Sequence, residues 1–137
     1  MTRIRKEIVI QAPVSKVWRH LTDPARIAAW LMPNNFVARA GRAFRLDCGT
    51  EGEISCVLQE IVPEERLVYS WTSPRLRIET TVTITLTPMK GRTRVTLVHS
   101  GWDALPPRER GIAGPFRKGW GLHLRTLKDQ IDRGARD

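Results

Sequence analysis

Cysteine is scarce in this chain, which has two among its 137 residues, Cys48 and Cys56. The pattern places them on adjacent strands, with a hairpin turn at 49–52 between them. A disulfide is one interpretation, but the first ten residues, MTRIRKEIVI, lack the apolar segment of a secretory signal peptide. We therefore expect two free, largely buried thiols in a protein of the reducing cytoplasm.

Long hydrophobic runs and signature motifs are absent as well. No apolar run approaches the roughly 18 residues that a membrane span requires, so we expect no membrane partner. The sequence contains no Ser-His-Asp arrangement, phosphate-binding loop or dinucleotide fingerprint. With 41% hydrophobic and 27% charged residues the composition is that of an ordinary globular protein, and the length predicts one domain over residues 1–137.

Acidic residues are the minority among the charges. The chain has 14 aspartates and glutamates against 23 lysines and arginines, which leaves a net charge of +9. Such a balance is typical of proteins that bind nucleic acid or an anionic surface. Here, however, 18 of the basic residues are arginines scattered over every segment, and the five tryptophans occupy core-like positions. We expect a solvated, arginine-rich surface and no nucleic-acid partner.

The strongest positive signal is a β-hairpin in residues 80–102 that leads towards a closing helix. Alternate residues form one apolar face and one threonine-rich face, which predicts a sheet with a buried side and a solvated side. Residues 88–91 are predicted to form the turn. The predicted buried face comprises Ile78, Thr80, Val82, Ile84 and Leu86 on the first strand and Val95, Leu97 and His99 on the second.

The rest of the chain alternates between strand and helix patterns. Proline at a first helical position and apolar residues at helical spacing mark three helices, and short polar breaks separate the strands. The predicted strands are 3–10, 43–48, 53–62, 66–73, 77–87 and 92–100, with a short piece near 36–39, and the predicted helices begin at Pro13, Pro24 and Pro115, the last ending near Gly134 after a loop at 103–114.

The last predicted helix is the only one long enough to cover the apolar face of such a meander. Gly119 and Gly121 interrupt it, which suggests close backbone approach, a kink or a frayed start, and a kink would let this end act as a gate with the loop at 103–114. Its apolar residues share one face at helical spacing: Phe116, Trp120, Leu124, Leu127 and Ile131.

This order of elements, together with several local motifs, resembles the START/Bet v 1-like superfamily, also called SRPBCC. Within it the chain is most similar to the activator-of-Hsp-90-ATPase homologue group. The resemblance covers nearly the whole chain, and the segments that carry it are APVSKVW at 12–18, the segment from Asp23-Pro24 to Trp30, LVYSW at 67–71, TRVTLVHSGW at 93–102, Gly119-Trp120, and the pair Leu124 and Leu127.

The resemblance implies an α+β helix-grip fold of order β-α-α-β5-6-α, in which a curved antiparallel sheet wraps around a long C-terminal helix. Relatives hold lipids, polyketides and other hydrophobic molecules in a cavity under that helix, and a minority catalyse cyclisation or dehydration. The eukaryotic co-chaperone that names the group carries an extra N-terminal domain that contacts the chaperone. Because this chain starts at its first predicted strand, we do not expect chaperone activation.

We therefore expect a protein that binds a small hydrophobic or aromatic ligand, with no cofactor. Apolar walls would supply the affinity, and a few polar groups would orient the ligand. The predicted lining is Phe44, Leu46, Tyr69, Trp71, Val82, Ile84, Leu97, His99, Trp120, His123, Leu124 and Leu127.

Two alternatives remain open at this point. An enzyme of the same fold, a cyclase, dehydratase or hydrolase, would use His99 or His123 with Tyr69 as acid–base groups. We favour a plainer role for His99, as a buried polar residue bonded to a neighbour. Two histidines make a poor metal site, so no metal is expected. The other alternative is an interaction module, such as a homodimer built through the sheet edge or surface tryptophans.

Overall fold

The computed structural model describes residues 3–75 and 78–134. Over these residues the chain forms a curved antiparallel sheet of six strands in the order β1-β6-β5-β4-β3-β2. The elements are β1 (Ile4–Ile10), α1 (Val14–Thr22), α2 (Pro24–Trp30), β2 (Ala43–Asp47), β3 (Glu53–Val62), β4 (Arg66–Trp71), β5 (Thr80–Met89), β6 (Arg92–Ser100) and α3 (Ala113–Gly134), with 3-10 turns at Gly49–Glu51, Trp102–Ala104 and Pro107–Ile112.

The β5–β6 hairpin has the two faces that the alternation predicts. Thr80, Val82, Ile84 and Leu86 are buried, whereas the threonines between them are half-exposed. The turn is tighter than predicted, because Pro88 pairs with Thr93 and the strands continue to the last pair, Met89 and Arg92. Two residues, Lys90 and Gly91, therefore make the connection, and Gly91 has a positive φ of 69°, a conformation that glycine adopts without steric cost.

The two short helices lie where the sequence places them. Pro13 precedes α1, whose Val17 and Leu21 are buried. Asp23 caps α2 by accepting a hydrogen bond from the Ala25 backbone N–H, and Ile27 and Trp30 of that helix are buried. The prediction of a short strand near 36–39 is wrong, because these residues form no strand. The nearest β-type pairing is a single bridge between Asn34 and Leu46.

The curved sheet wraps around the long helix α3, which confirms the α+β helix-grip fold. The helix begins at Ala113, two residues before the predicted start, and much of the predicted loop at 103–114 is 3-10 turn. Trp120, Leu124, Leu127 and Ile131 are buried on its inner face, and Phe116 is partly buried against the core. In the part of the chain that the structure describes, no helix combines the length and apolar character needed to cross a membrane.

Strand β3 carries a bulge that a simple alternation does not reveal. Leu58 pairs with Tyr69, but Glu60 pairs with Val68, so one residue is extra on β3. The neighbouring pair of strands sets Cys56 opposite Phe44. Cys48 lies four residues beyond Phe44 along the chain, or about 13 Å, which is too far for a disulfide. The prediction of two free thiols is confirmed, but of the two only Cys56 is buried, and Cys48 is half-buried.

Candidate functional site

A pocket of about 270 Å³ lies between the first half of α3 and the ends of β3 and β4. The turn after β2 and the segment after β4 close its other sides, and residues following α2 complete the wall. Its lining comprises Met32, Cys48, Glu51, Ile54, Trp71, Ser73, Pro74, Arg75, Pro115, Phe116, Gly119, Trp120 and His123.

Three aromatic rings form the inner wall of the pocket. The ring centroids of Trp71 and Trp120 are 5.3 Å apart, and those of Trp71 and Phe116 are 6.4 Å apart. Gly119 leaves the helix side open, because a Cβ atom built there would meet no atom within 4 Å. The site therefore offers broad apolar ring surface to a molecule that enters it.

Two buried polar atoms at the pocket have no hydrogen-bond partner. They are Trp71 Nε1 and Ser73 Oγ. Within residues 3–75 and 78–134, every other buried side-chain nitrogen or oxygen atom has a hydrogen-bond partner. Both residues line the pocket, and both are more than nine-tenths buried. Buried polar groups are normally paired, so two unpaired polar atoms in residues of one pocket wall are unusual.

An ion pair lies on the rim of the pocket. Arg75 Nη2 contacts Glu51 Oε1, and the Cys48 thiol donates to Glu51 Oε2 at 3.7 Å. Burial and then the nearby Glu51 charge raise the pKa of Cys48, so its thiol stays protonated at neutral pH. Both members of the ion pair are well exposed, so it contributes little to stability.

His123 presents one ring nitrogen that is already engaged. Its Nδ1 lies 3.2 Å from the backbone oxygen of Trp30, and because a carbonyl only accepts, Nδ1 carries the proton. The other nitrogen, Nε2, is then an acceptor in the neutral ring. Burial lowers the pKa of His123, against the opposing effect of the Trp30 carbonyl, so the ring is neutral at pH 7.

His99 is held on both sides of its ring and is fully buried. Trp120 Nε1 donates to His99 Nδ1 at 2.9 Å, so the ring proton lies on Nε2, which donates to Thr80 Oγ1 at 2.7 Å. The Thr80 hydroxyl in turn donates to the Trp71 carbonyl at 2.9 Å. Burial lowers the pKa of His99 to about 3. This histidine is a neutral connector between helix and sheet.

The pocket receives three of the twelve residues predicted to line a cavity: Trp71, Trp120 and His123. The other nine are buried in the core. Four of them surround a second space of only about 10 Å³, which side chains from α1 and α2 nearly fill. The core positions are Phe44, Leu46, Tyr69 and Ile84 at that small space, together with Val82, Leu97, His99, Leu124 and Leu127.

The three acid–base candidates do not meet in one place. Trp120 lies between the two histidines, with its ring centroid 6.1 Å from that of His99 and 6.0 Å from that of His123. Tyr69 lies at the small second space, where burial raises the pKa of its hydroxyl. Among the described residues, no cluster of three His, Cys, Asp or Glu side chains is placed to hold a metal ion.

Sequence reasoning missed most of the pocket's polar rim. The run Trp71, Ser73 and Arg75 puts three hydrogen-bond donors two residues apart, but its Ser73-Pro74-Arg75 part has the composition of a break between strands. Ile54 follows the buried alternation of β3, but that alternation does not show which buried residues of the strand reach the pocket. Gly119 is an unusual residue inside a helix, and in the structure it leaves the helix wall of the pocket open.

Comparison with solved structures places this architecture among known relatives. Protein MLL2253 from Mesorhizobium loti is 30% identical with a TM-score of 0.87, and the match covers 96% of this chain and 98% of that one. DynU16, a protein of the dynemicin biosynthetic locus, is 26% identical with a TM-score of 0.85. That match covers 96% of this chain but 48% of DynU16, so this chain spans about half of its length.

A more distant structure shares the fold. The Aha1 dimer from Colwellia psychrerythraea is 18% identical with a TM-score of 0.83, and the match covers 96% of this chain and 97% of that one. None of the curated proteins compared with the chain matches it. The family model for activator of Hsp90 ATPase homolog 1-like proteins matches residues 11–132. With nearly the whole chain matched and the helix-grip architecture in place, the chain belongs to the family of activator of Hsp90 ATPase homolog 1-like proteins.

Proposed function

We propose that the chain binds a small hydrophobic or aromatic molecule in the pocket beside the first half of α3. The observation that carries the proposal is the wall of three rings, Trp71, Phe116 and Trp120, facing a space of about 270 Å³. Ligand sites are typically apolar concavities with a few well-placed polar groups. This pocket has that composition.

The volume limits the size of the ligand. Small-molecule sites usually measure about 300–1,000 Å³, so a pocket of about 270 Å³ suits a molecule of about two fused rings. Burial of its apolar surface would supply affinity at about 25 cal/mol per Å² before the costs of association. The similarity to DynU16, a protein of a biosynthetic locus, is consistent with a small-molecule ligand.

Binding is better supported than catalysis. A reaction run by Tyr69, His99 and His123 needs their polar atoms within hydrogen-bond reach in one pocket. His99 has both ring nitrogens engaged, and Tyr69 lies at a different space from His123. Because these three groups are separated, the structure favours a binding protein over an enzyme that uses them.

A calorimetric titration with 2-acetonaphthone, a two-ring aromatic ketone, tests the proposal. We expect saturable binding by the natural sequence and at least about tenfold weaker binding by Gly119→Leu, because the added side chain enters the pocket from α3. Gly114→Leu is the matched control: it is the same substitution in the same helix, with open space around it and no part in the lining.

The control variant should bind like the natural sequence. Equal binding by Gly119→Leu and the natural sequence would show that the ligand binds outside this pocket. An absence of saturable binding by the natural sequence would overturn the proposal.

A further inference from the structure

One wall of the pocket is lined with hydrogen-bond donors. Trp71, Ser73 and Arg75 follow one another at a spacing of two residues through the end of β4 and the segment after it. All three line the pocket. Trp71 is 3% exposed and Ser73 is 8% exposed, and neither Trp71 Nε1 nor Ser73 Oγ has a partner.

An unpaired indole N–H is exceptional among the buried tryptophans of the described residues. Trp30 Nε1 donates to the His20 carbonyl at 2.7 Å, and Trp102 Nε1 donates to the His99 carbonyl at 2.9 Å. Trp120 Nε1 donates to His99 Nδ1 at 2.9 Å. The chain therefore satisfies the other buried indoles, including that of Trp120, which also lines the pocket. It leaves the Trp71 indole at the pocket unsatisfied, and a ligand could complete that bond.

The chemistry of these donors restricts the ligand. An indole N–H can only donate, so its partner must be an acceptor, and a serine hydroxyl can donate to the same kind of group. The rim charge of Arg75 is already matched by Glu51. A ligand carboxylate placed there would be repelled by Glu51, whereas an uncharged carbonyl oxygen accepts hydrogen bonds without that cost.

We propose that the ligand is an aromatic molecule bearing an uncharged carbonyl group, such as a ketone, quinone or amide, whose oxygen accepts from Trp71 Nε1 with Ser73 Oγ as the second donor. The aromatic body then lies against Phe116 and Trp120. This inference rests on the binding function proposed above and adds the polar end of the ligand to it.

Three probes of nearly the same shape separate the alternatives. They are 2-acetonaphthone, 2-ethylnaphthalene, in which a methylene replaces the carbonyl, and 2-naphthoate, which carries a charge. We expect the ketone to bind about tenfold more tightly than the hydrocarbon, since a buried donor that gains its partner is worth about that factor. The naphthoate should bind more weakly than the ketone.

Two further readouts locate the bond. In ¹⁵N-labelled protein the ketone, and not the hydrocarbon, should shift the Trp71 indole N–H resonance downfield. Ser73→Ala should reduce the preference for ketone over hydrocarbon, and because it removes an unsatisfied buried hydroxyl it should not weaken the fold. Thr72→Val is the matched control, since Thr72 neighbours Ser73 but is not part of this lining; it should keep the full preference.

The possible failures are distinct. Equal affinity for ketone and hydrocarbon, or ketone binding that leaves the Trp71 indole resonance unmoved, overturns the carbonyl inference and leaves the binding function standing. Tighter binding of the naphthoate than of the ketone overturns the inference that the ligand's carbonyl group is uncharged. If none of the three probes perturbs the pocket residues, the binding function fails together with the inference.

Discussion

His99 shows how a residue with the right chemistry can serve structure. Alternation along its strand correctly places it on the buried face, beside Val95 and Leu97. Its partners come from two other elements: Trp120 on α3, and Thr80 on the neighbouring strand β5. No pattern within one strand reports such a contact, so the sequence could place the imidazole in the interior but could not identify what bonds to it.

The stability of the protein should fall in mild acid because of this residue. Burial lowers the pKa of His99 from 6.5 to about 3, so in that window the unfolded chain binds a proton that the folded one does not. The free energy of unfolding should then drop as the pH falls, by up to about 1.4 kcal/mol per pH unit. The pKa values of His20 and His123 are also lowered and act with the same sign.

Urea unfolding at pH 7, 6 and 5 measures the slope, and NMR of the His99 ring measures its titration directly. A His99 ring that titrates near pH 6.5 in the folded protein would contradict the account. A free energy of unfolding that does not change over this range would contradict it too.

Gly101 is a second residue whose identity follows from local geometry. Its φ is +104°, and a Cβ atom there would lie 3.2 Å from the backbone Cα of Thr80. Gly101→Ala should therefore lower the free energy of unfolding by about 1–3 kcal/mol. Gly111→Ala is the control, because Gly111 has no atom within 4 Å of such a Cβ and no positive φ. Equal denaturation midpoints for the two variants would refute this explanation.

At the scale of elements, the sequence predicts which faces are buried but not how much space lies between them. The predicted lining residues Phe44, Leu46 and Ile84 point inwards as expected. The region they share is nearly filled by residues from α1, α2 and the segment that follows, which are Leu21, Ile27, Trp30, Leu31 and Phe36. The volume of a cavity depends on side chains from segments that are distant in sequence. Periodicity within one strand or helix therefore could not show that the open pocket lies beside the first half of α3.

The first half of α3 carries two glycines whose substitution should have separable effects. Gly119→Ala and Gly121→Ala should each raise the free energy of unfolding by about 0.5–1 kcal/mol, because alanine favours the helix and neither site has a tight contact. Only Gly119→Ala should weaken probe binding, since Gly119 lines the pocket and Gly121 does not. Thermal unfolding and calorimetric titration of the pair check both effects, and destabilisation by Gly119→Ala would show that the backbone there needs glycine.

At the scale of the whole molecule, the order of elements was predictable and the site was not. Two short helices, a meander and one long closing helix follow from periodicity and proline positions, and the family match over residues 11–132 agrees with them. The pocket depends on the segment at Ser73 and Arg75 and on a gap at Gly119. Each of these is a local departure from a regular pattern.

Ligand binding should be coupled to global stability. A molecule that binds the folded chain alone raises the free energy of unfolding by about 2.7 kcal/mol at a concentration of 100 times its Kd. With 2-acetonaphthone we expect a rise of that size in the natural sequence and in Gly114→Leu. Gly119→Leu, which we expect to bind at least about tenfold more weakly, should show a rise of about 1.4 kcal/mol or less at the same concentration. Differential scanning calorimetry measures all three. A rise of equal size in Gly119→Leu would mean that the probe binds outside the pocket.

The central claim is that the pocket between α3 and the ends of β3 and β4 is the ligand site. The most direct measurement is a crystal structure of the protein with 2-acetonaphthone at a concentration that saturates binding in solution. The account predicts electron density for the two rings against Phe116 and Trp120, with the carbonyl oxygen within hydrogen-bond distance of Trp71 Nε1. Density for the probe at another position, with this pocket empty, would contradict it.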